Sequence, residues 1–231
     1  MGLPRTPGRR VARAVARALT KPRPRRRVRL DNDARRAQLL EVGRKTFAER
    51  TYDEVSIDDL ARSAGISKGL LYHYFPTKRD LYVAGLRATA DELLTKTVAA
   101  AAPHLPPLER IRAGLDAYLD FVIAHARPFS ALLRGGIGSD PEVVGVIEST
   151  RTAYVERLLT DTESTPLAVA AASEVPLVRI GVRGWLGFVE AASLEWLQLG
   201  RPDRRALRDL LIDTLLATLR TVLGPSTSGA W

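Results

Sequence analysis

Apolar residues recur every three or four positions along most of the chain, and no window alternates apolar and polar residues long enough to suggest a strand. The pattern predicts an all-α fold. A first helix is expected over about 33–50, with Leu39, Leu40, Val42, Gly43 and Phe47 on one side, and Tyr52-Asp53 as the following turn. Ser56 with Asp59 three residues later is a capping box, so a second helix starts there and turns Ile57, Leu60, Ala61 and Ala64 inward. Gly65 is placed to end it, because glycine enters the left-handed C′ conformation without steric cost. A third helix runs from Ser67 to Phe75-Pro76, and a fourth opens at Thr77, with Asp80 three residues on, and reaches about Ala101.

Pro103, Pro106 and Pro107 break the pattern before a helix near 108–126. Pro128 opens a short helix, and Gly135, Gly136 and Gly138 form a loop. Asp140-Pro141-Glu142 combines a cap, a proline at the first helical position and an acid in the first turn, so a helix starts there and runs to about Thr160. Another spans about 167–199 with a kink or break at Pro176, and Asp203 caps a last helix to about Leu223.

The charge is uneven along the 231 residues. Residues 1–90 hold 21 Lys and Arg against 9 Asp and Glu, whereas residues 91–231 hold 14 against 17. One end therefore attracts a polyanion, nucleic acid or an anionic membrane, and the other does not. Residues 1–30 carry 11 basic residues and no acid, with Val11, Val15 and Leu19 at helical spacing, and read as a flexible or conditionally helical arm. The absence of cysteine excludes disulfides and thiolate metal sites. No apolar run reaches the ~18 residues of a membrane helix, and no secretory signal is visible, so a cytoplasmic protein without membrane contact is expected.

Residues 56–75 are the informative stretch. Two short helices joined by a tight Gly65-Ile66 turn, with small Ala61 at their crossing, make a helix-turn-helix, which presents its second helix to the major groove of double-stranded DNA. Ser67 and Lys68 stand at that helix's N-terminus, where free amides favour phosphate, and Gly69 lets the backbone approach closely or serves helix packing. Leu70 offers a surface for a thymine methyl, and Tyr72 and His73 lie where base edges pass. Tyr74 and Lys78 are expected to reach phosphate oxygens, as are the helix N-termini capped by Ser56 and Thr77.

The string Phe47-Ala48-Glu49-Arg50, Val55-Ser56-Ile57-Asp58-Asp59-Leu60-Ala61, Ala64-Gly65-Ile66-Ser67-Lys68-Gly69 and Leu71-Tyr72-His73-Tyr74-Phe75-Pro76-Thr77-Lys78 resembles the DNA-binding domain of TetR/AcrR-type regulators. Leu70, where that family often carries a smaller residue, and Gly43-Arg44, where it more often carries alanine, depart from the pattern. The resemblance implies a nine- or ten-helix homodimer with a C-terminal pocket for a small effector. Residues 1–30 would then be a basic arm, 31–80 the DNA-binding domain, 81–224 the effector-binding and dimerisation domain, and 225–231 a flexible tail.

In the C-terminal part, Leu177, Ile180, Gly181, Gly184, Trp185, Phe188, Ala192 and Trp196 fall at helical spacing, as do Leu207, Leu210, Leu211, Thr214, Leu215, Thr218 and Leu219. These stripes are read as shared between monomer core and dimer surface. Tyr118, Phe121, Val122, Phe129, Leu132, Leu133, Ile147, Tyr154, Trp185 and Phe188 are candidates for the effector pocket, with Tyr118, Tyr154 and Glu190 as polar anchors. Few charges occur among them, so the expected effector is apolar or amphipathic. The sequence predicts a repressor released from its operator by that effector. The alternatives are a ligand-responsive activator of the same fold, or a non-specific DNA-binding helical protein. No cofactor, metal site or catalytic residue is expected, since His73, His104 and His125 have no metal-ligand or triad companions near them and no phosphate-cradling loop occurs.

Overall fold

The computed structural model describes residues 25–134, 136–160 and 176–223. Among them are nine α-helices and one 3₁₀ turn, with no strand. The helices are α1 (Arg25–Glu49), α2 (Ile57–Ser63), α3 (Lys68–Tyr74), α4 (Lys78–Ala100), α5 (Pro107–Ala124), α6 (Ala126–Leu133), α7 (Pro141–Thr160), α8 (Pro176–Gln198) and α9 (Arg204–Leu223), with the 3₁₀ turn at Gly136–Ser139. No helix among the described residues is long and apolar enough to cross a membrane.

The chain divides into two units, 1–38 and 39–231. In the first, the described part is the N-terminal stretch of α1, where residues 32–38 are all exposed and Arg35 donates to Gln38 at 2.9 Å. The helix starts at Arg25, earlier than its apolar spacing suggests, in a stretch rich in arginine, which is a good helix former. Most of the basic arm expected over 1–30, the 167–175 part of the helix expected over 167–199 and the tail after Leu223 lie outside the described residues.

The second unit holds two apolar clusters. One gathers Leu39, Phe47, Val55, Leu60, Ala61, Leu71, Phe75, Leu81, Tyr82 and Val83 from α1 to α4, and adds Val143 and Val146 from α7. Gly43 belongs to this contact: a Cβ there would stand 2.8 Å from Leu81 Cδ1, so the glycine lets Leu81 sit directly on the α1 backbone. The other cluster joins Leu115 and Leu119 of α5, Val155 of α7, Val178, Val182, Trp185, Val189 and Trp196 of α8 and the Leu207, Leu211, Leu215, Leu219 stripe of α9. Both α8 tryptophans spend their indole N–H on carbonyls, Trp185 on Leu211 at 2.8 Å and Trp196 on Pro202 at 2.7 Å.

Two helix ends close with the same hydrogen-bond pattern. At the end of α2, Ile66 N donates to Ala61 O at 3.0 Å and Gly65 N to Arg62 O at 3.1 Å, with Gly65 at φ +65°. After α8, Arg201 N donates to Trp196 O at 2.9 Å, with Gly200 at φ +77°.

Candidate functional site

The short α3 is held at three points. Ser67 caps it, its Oγ accepting from Leu70 N at 3.2 Å. Leu71 and Phe75, 1% and 2% exposed, anchor its inner face. The neighbouring helices are capped in the same way. Ser56 Oγ accepts from Asp59 N at 3.1 Å and Thr77 Oγ1 from Asp80 N at 3.0 Å, and each acid returns a bond to the cap amide. With one face fixed, α3 presents Lys68, Gly69, Leu70, Tyr72 and His73 to solvent, Leu70 and Tyr72 being 39% and 45% exposed. A Cβ on Gly69 would meet nothing within 4 Å, so packing inside this unit gives no reason for a glycine there.

Tyr74 and Lys78 are part-buried. Tyr74 is half-buried against the α1–α4 cluster and meets the His73 ring edge-on at 5.2 Å. Lys78 Nζ donates to Tyr52 O at 3.0 Å and to Val55 O at 3.1 Å, and lies 3.9 Å from the centre of the Tyr52 ring. Two of its three donors are therefore spent on the loop between α1 and α2, which Lys78 ties to the first turn of α4. Lys68 Nζ pairs with Asp58 at 2.5 Å, and both side chains stay more than half exposed.

Beyond α3, a cavity of about 310 Å³ lies among α1, α4, α5, α6, α7, α8 and α9. Of the residues proposed from sequence, Tyr118, Phe121, Phe129, Leu132, Leu133, Ile147, Tyr154 and Trp185 are on its wall. Val122 and Phe188 are not: Val122 is wholly buried, and Phe188 is 39% exposed. On α8 the inward face is Val182, Trp185 and Val189, which leaves Phe188 on another side. Glu190 is on the wall, and so are Leu86, Thr89, Leu93 and Thr97 of α4, which the sequence reading passed over. Their spacing of three and four is the signal by which the sequence marks them.

The polar groups of the wall mostly satisfy one another. Thr97 is 5% exposed; its hydroxyl donates to Leu93 O at 2.9 Å and so accepts from the Tyr154 hydroxyl at 2.8 Å. Burial pushes the Tyr154 phenol up to about 12. Glu190 is held by Arg151 through two bonds, one of 2.9 Å from Nε, and Arg151 also reaches Glu148 at 2.5 Å. The Tyr118 hydroxyl is sealed in the wall without a hydrogen-bond partner, and burial raises its pKa.

The cavity wall and the cluster behind the helix-turn-helix are joined through α7. α7 turns Val143 and Val146 into the α1–α4 cluster and lines the cavity with Val146, Ile147, Thr150, Arg151 and Tyr154. At its start, Asp140 caps the helix by accepting from Glu142 N at 3.0 Å. The same carboxylate is gripped by Arg79, at the beginning of α4, through two bonds of 2.6 Å, while Arg79 Nη1 reaches Glu142 at 2.9 Å. Arg79 holds the Asp140 carboxyl below the usual carboxylate range. Arg127 of α6 adds a pair with Glu54, in the loop before α2, at 2.7 Å.

The α8–α9 hairpin leaves an apolar surface unpartnered. Leu177, Ile180 and Leu210 are 59%, 64% and 51% exposed, and Gly184 and Gly187 have open space where a Cβ would be. Gly181 serves the monomer instead, since a Cβ there would stand 2.9 Å from Thr218 Cγ2.

Residues 39–84 match the description "Bacterial regulatory proteins, tetR family", and residues 107–218 match "Tetracyclin repressor-like, C-terminal domain". A crystal structure of a TetR-family transcriptional regulator from Streptomyces coelicolor superposes with a TM-score of 0.73 at 33% identity, covering 82% of each chain. The chain belongs to the TetR family. This TetR-family protein is 30% identical over 132 residues to the HTH-type transcriptional activator FasR of Mycolicibacterium smegmatis, covering 57% of this chain and 60% of FasR. It is also 32% identical over 109 residues to the HTH-type transcriptional regulator EthR of the same organism, covering 45% of this chain and 48% of EthR. The chain thus spans about half to three-fifths of these curated relatives.

Proposed function

We propose that the protein is a homodimer that binds a specific DNA operator through α3 and is released from it when a small apolar or amphipathic effector fills the cavity. The observation that carries this reading is the division of α3 into a locked inner face and an outer face of Gly69, Leu70, Tyr72 and His73 with no task inside the unit. Exposed apolar and aromatic groups on a capped helix next to a glycine suit contact with base edges and a thymine methyl. The helix N-termini capped by Ser56, Ser67 and Thr77 direct backbone amides at phosphates.

The test is binding to a randomised operator library. Leu70→Ala, Tyr72→Ala and His73→Ala are expected to change which bases are preferred, by about 1–3 kcal/mol of discrimination at the affected positions. Uniform weakening over all sequences, or no change, would exclude α3 as the reading element.

An effector moves the DNA-binding helices only if it binds two conformations with different affinity. The Arg79–Asp140–Glu142 clamp joins the first turn of α4, directly after the helix-turn-helix, to α7 on the cavity wall. Arg79→Ala and Asp140→Ala are expected to keep operator binding and to reduce the effector's influence on it by about fivefold or more, the lower range of allosteric coupling. Operator titrations with and without effector measure this, and unchanged coupling in both variants would exclude the clamp as the link.

A further inference from the structure

We infer that the protein grips the DNA backbone with residues 1–38, the basic stretch ahead of the helix-turn-helix, and that the helix-turn-helix reads bases while adding no net charge. This rests on the reading of the protein as a DNA-binding regulator. Residues 39–84 contain seven Lys and Arg and seven Asp and Glu, so that part of the chain is electrically neutral. Residues 1–38 contain thirteen basic residues against two acidic ones, a net charge of +11.

The neutrality is local as well as summed. Lys68, at the start of α3, pairs with Asp58 at 2.5 Å. Arg50 and Arg62 share Asp59 at 3.2 and 3.3 Å, and Lys45 pairs with Glu41 at 3.5 Å. Arg44 is held by Glu41 and Glu92, and Arg79 by Asp140 and Glu142. Lys78 gives two of its donors to carbonyls. Exposed ion pairs are weak, and a phosphate can draw such a cation away. The acid left behind then faces the same phosphate, so the exchange gains little. Amides and hydroxyls at the helix starts position a phosphate without neutralising it.

The first part of α1 carries the missing charge. Residues 25–38 are helical and hold six arginines and two acids, and residues 32–38 are all exposed. At 1.5 Å per residue the stretch is about 20 Å long, enough to follow several phosphates at ~3.4 Å along one strand. An anionic membrane attracts the same charge, but a helix lying on lipid needs an apolar face. This stretch has no aromatic residue, and its large aliphatic residues are Val28 and Leu30.

The experiment measures affinity for a duplex selected from a randomised library, and for a random-sequence duplex, between about 50 and 200 mM salt. The logarithm of affinity falls with that of salt by about 0.9 per phosphate neutralised. A variant combining Arg25→Gln, Arg26→Gln, Arg27→Gln and Arg29→Gln keeps helix propensity. It should flatten the slope by about 3 to 4 per protomer on both duplexes, about 100-fold over this range, with the preference between them unchanged. Asp58→Asn, which releases Lys68, should steepen the slope by about one per protomer. An unchanged slope in the arginine variant overturns the proposal. Loss of sequence preference along with the slope also overturns it, since the arginines would then read bases. No steepening in Asp58→Asn would overturn the neutral reading element. An arginine variant that loses binding to phosphatidylserine vesicles and keeps its slope on DNA would assign the stretch to a membrane instead. A library that yields no preferred sequence, with a slope that still flattens in the variant, would leave this inference standing and remove the specific operator. A wild type that binds neither duplex would remove both.

Discussion

Ile180→Glu is expected to convert the proposed dimer to a monomer and to lower operator affinity by about 100-fold or more. Ile180 is 64% exposed and lies beside Leu177 and Gly184 on the unpartnered face of α8. A second copy facing this surface would bury a charge without a partner, which disfavours association strongly. DNA binding would follow, because two linked heads reach two half-sites with an avidity of roughly 10²–10⁴ over one head alone. The fold itself should be untouched, since an exposed substitution of this kind usually changes stability by less than about 0.5 kcal/mol. Sedimentation gives the mass and operator titration the affinity. A variant that stays dimeric would place the interface elsewhere, and a monomer with wild-type affinity would remove the need for a dimer.

Leu71→Ala is expected to destabilise the DNA-binding part by about 2–5 kcal/mol, the range for deleting a buried leucine side chain. Leu71 is the one fully buried residue of the seven in α3, and it is the central anchor of that helix's inner face. Isolated helices of this length do not persist in water. Sequence-independent and specific DNA binding should both disappear. The α5, α8 and α9 core and the proposed dimer should survive, because none of that core's residues belongs to Leu71's cluster. Amide hydrogen exchange would show early loss of protection over 56–75 with the α8–α9 hairpin still protected. Equal loss of protection throughout the chain would mean that the two clusters unfold as one unit.

The two variants separate the roles of the halves, and the sequence anticipated them unequally. The helix-turn-helix was legible because its signals are local. Ser56 and Asp59, Ser67 and Leu70, and Thr77 and Asp80 stand three residues apart, and each pair makes its capping bond. Gly65 takes the left-handed conformation its position demanded. Lys78 escaped this reading because its partners, the carbonyls of Tyr52 and Val55, are backbone groups that carry no residue signature.

The C-terminal half shows where periodicity stops informing. Apolar spacing marked Trp185 and Phe188 alike, since both lie on a helix with apolar residues all round, and only packing against α9 decided that Trp185 faces inward and Phe188 outward. The same holds for Gly181 and Gly184, identical in sequence logic. One is crossed by Thr218 and the other faces open space.

What the chain's own residue order determined, then, is the set of helices, their caps and the face of α3 turned to solvent, because each depends on contacts within about one helical turn. The cavity's wall and the grip of Arg79 on Asp140 came only with the tertiary structure. Arg79 and Asp140 are 61 residues apart, and the walls at Thr97 and Tyr154 are 57 apart. No short-range pattern encodes which helix will lie opposite another, since that is settled by how all the side chains fill the space between them at once.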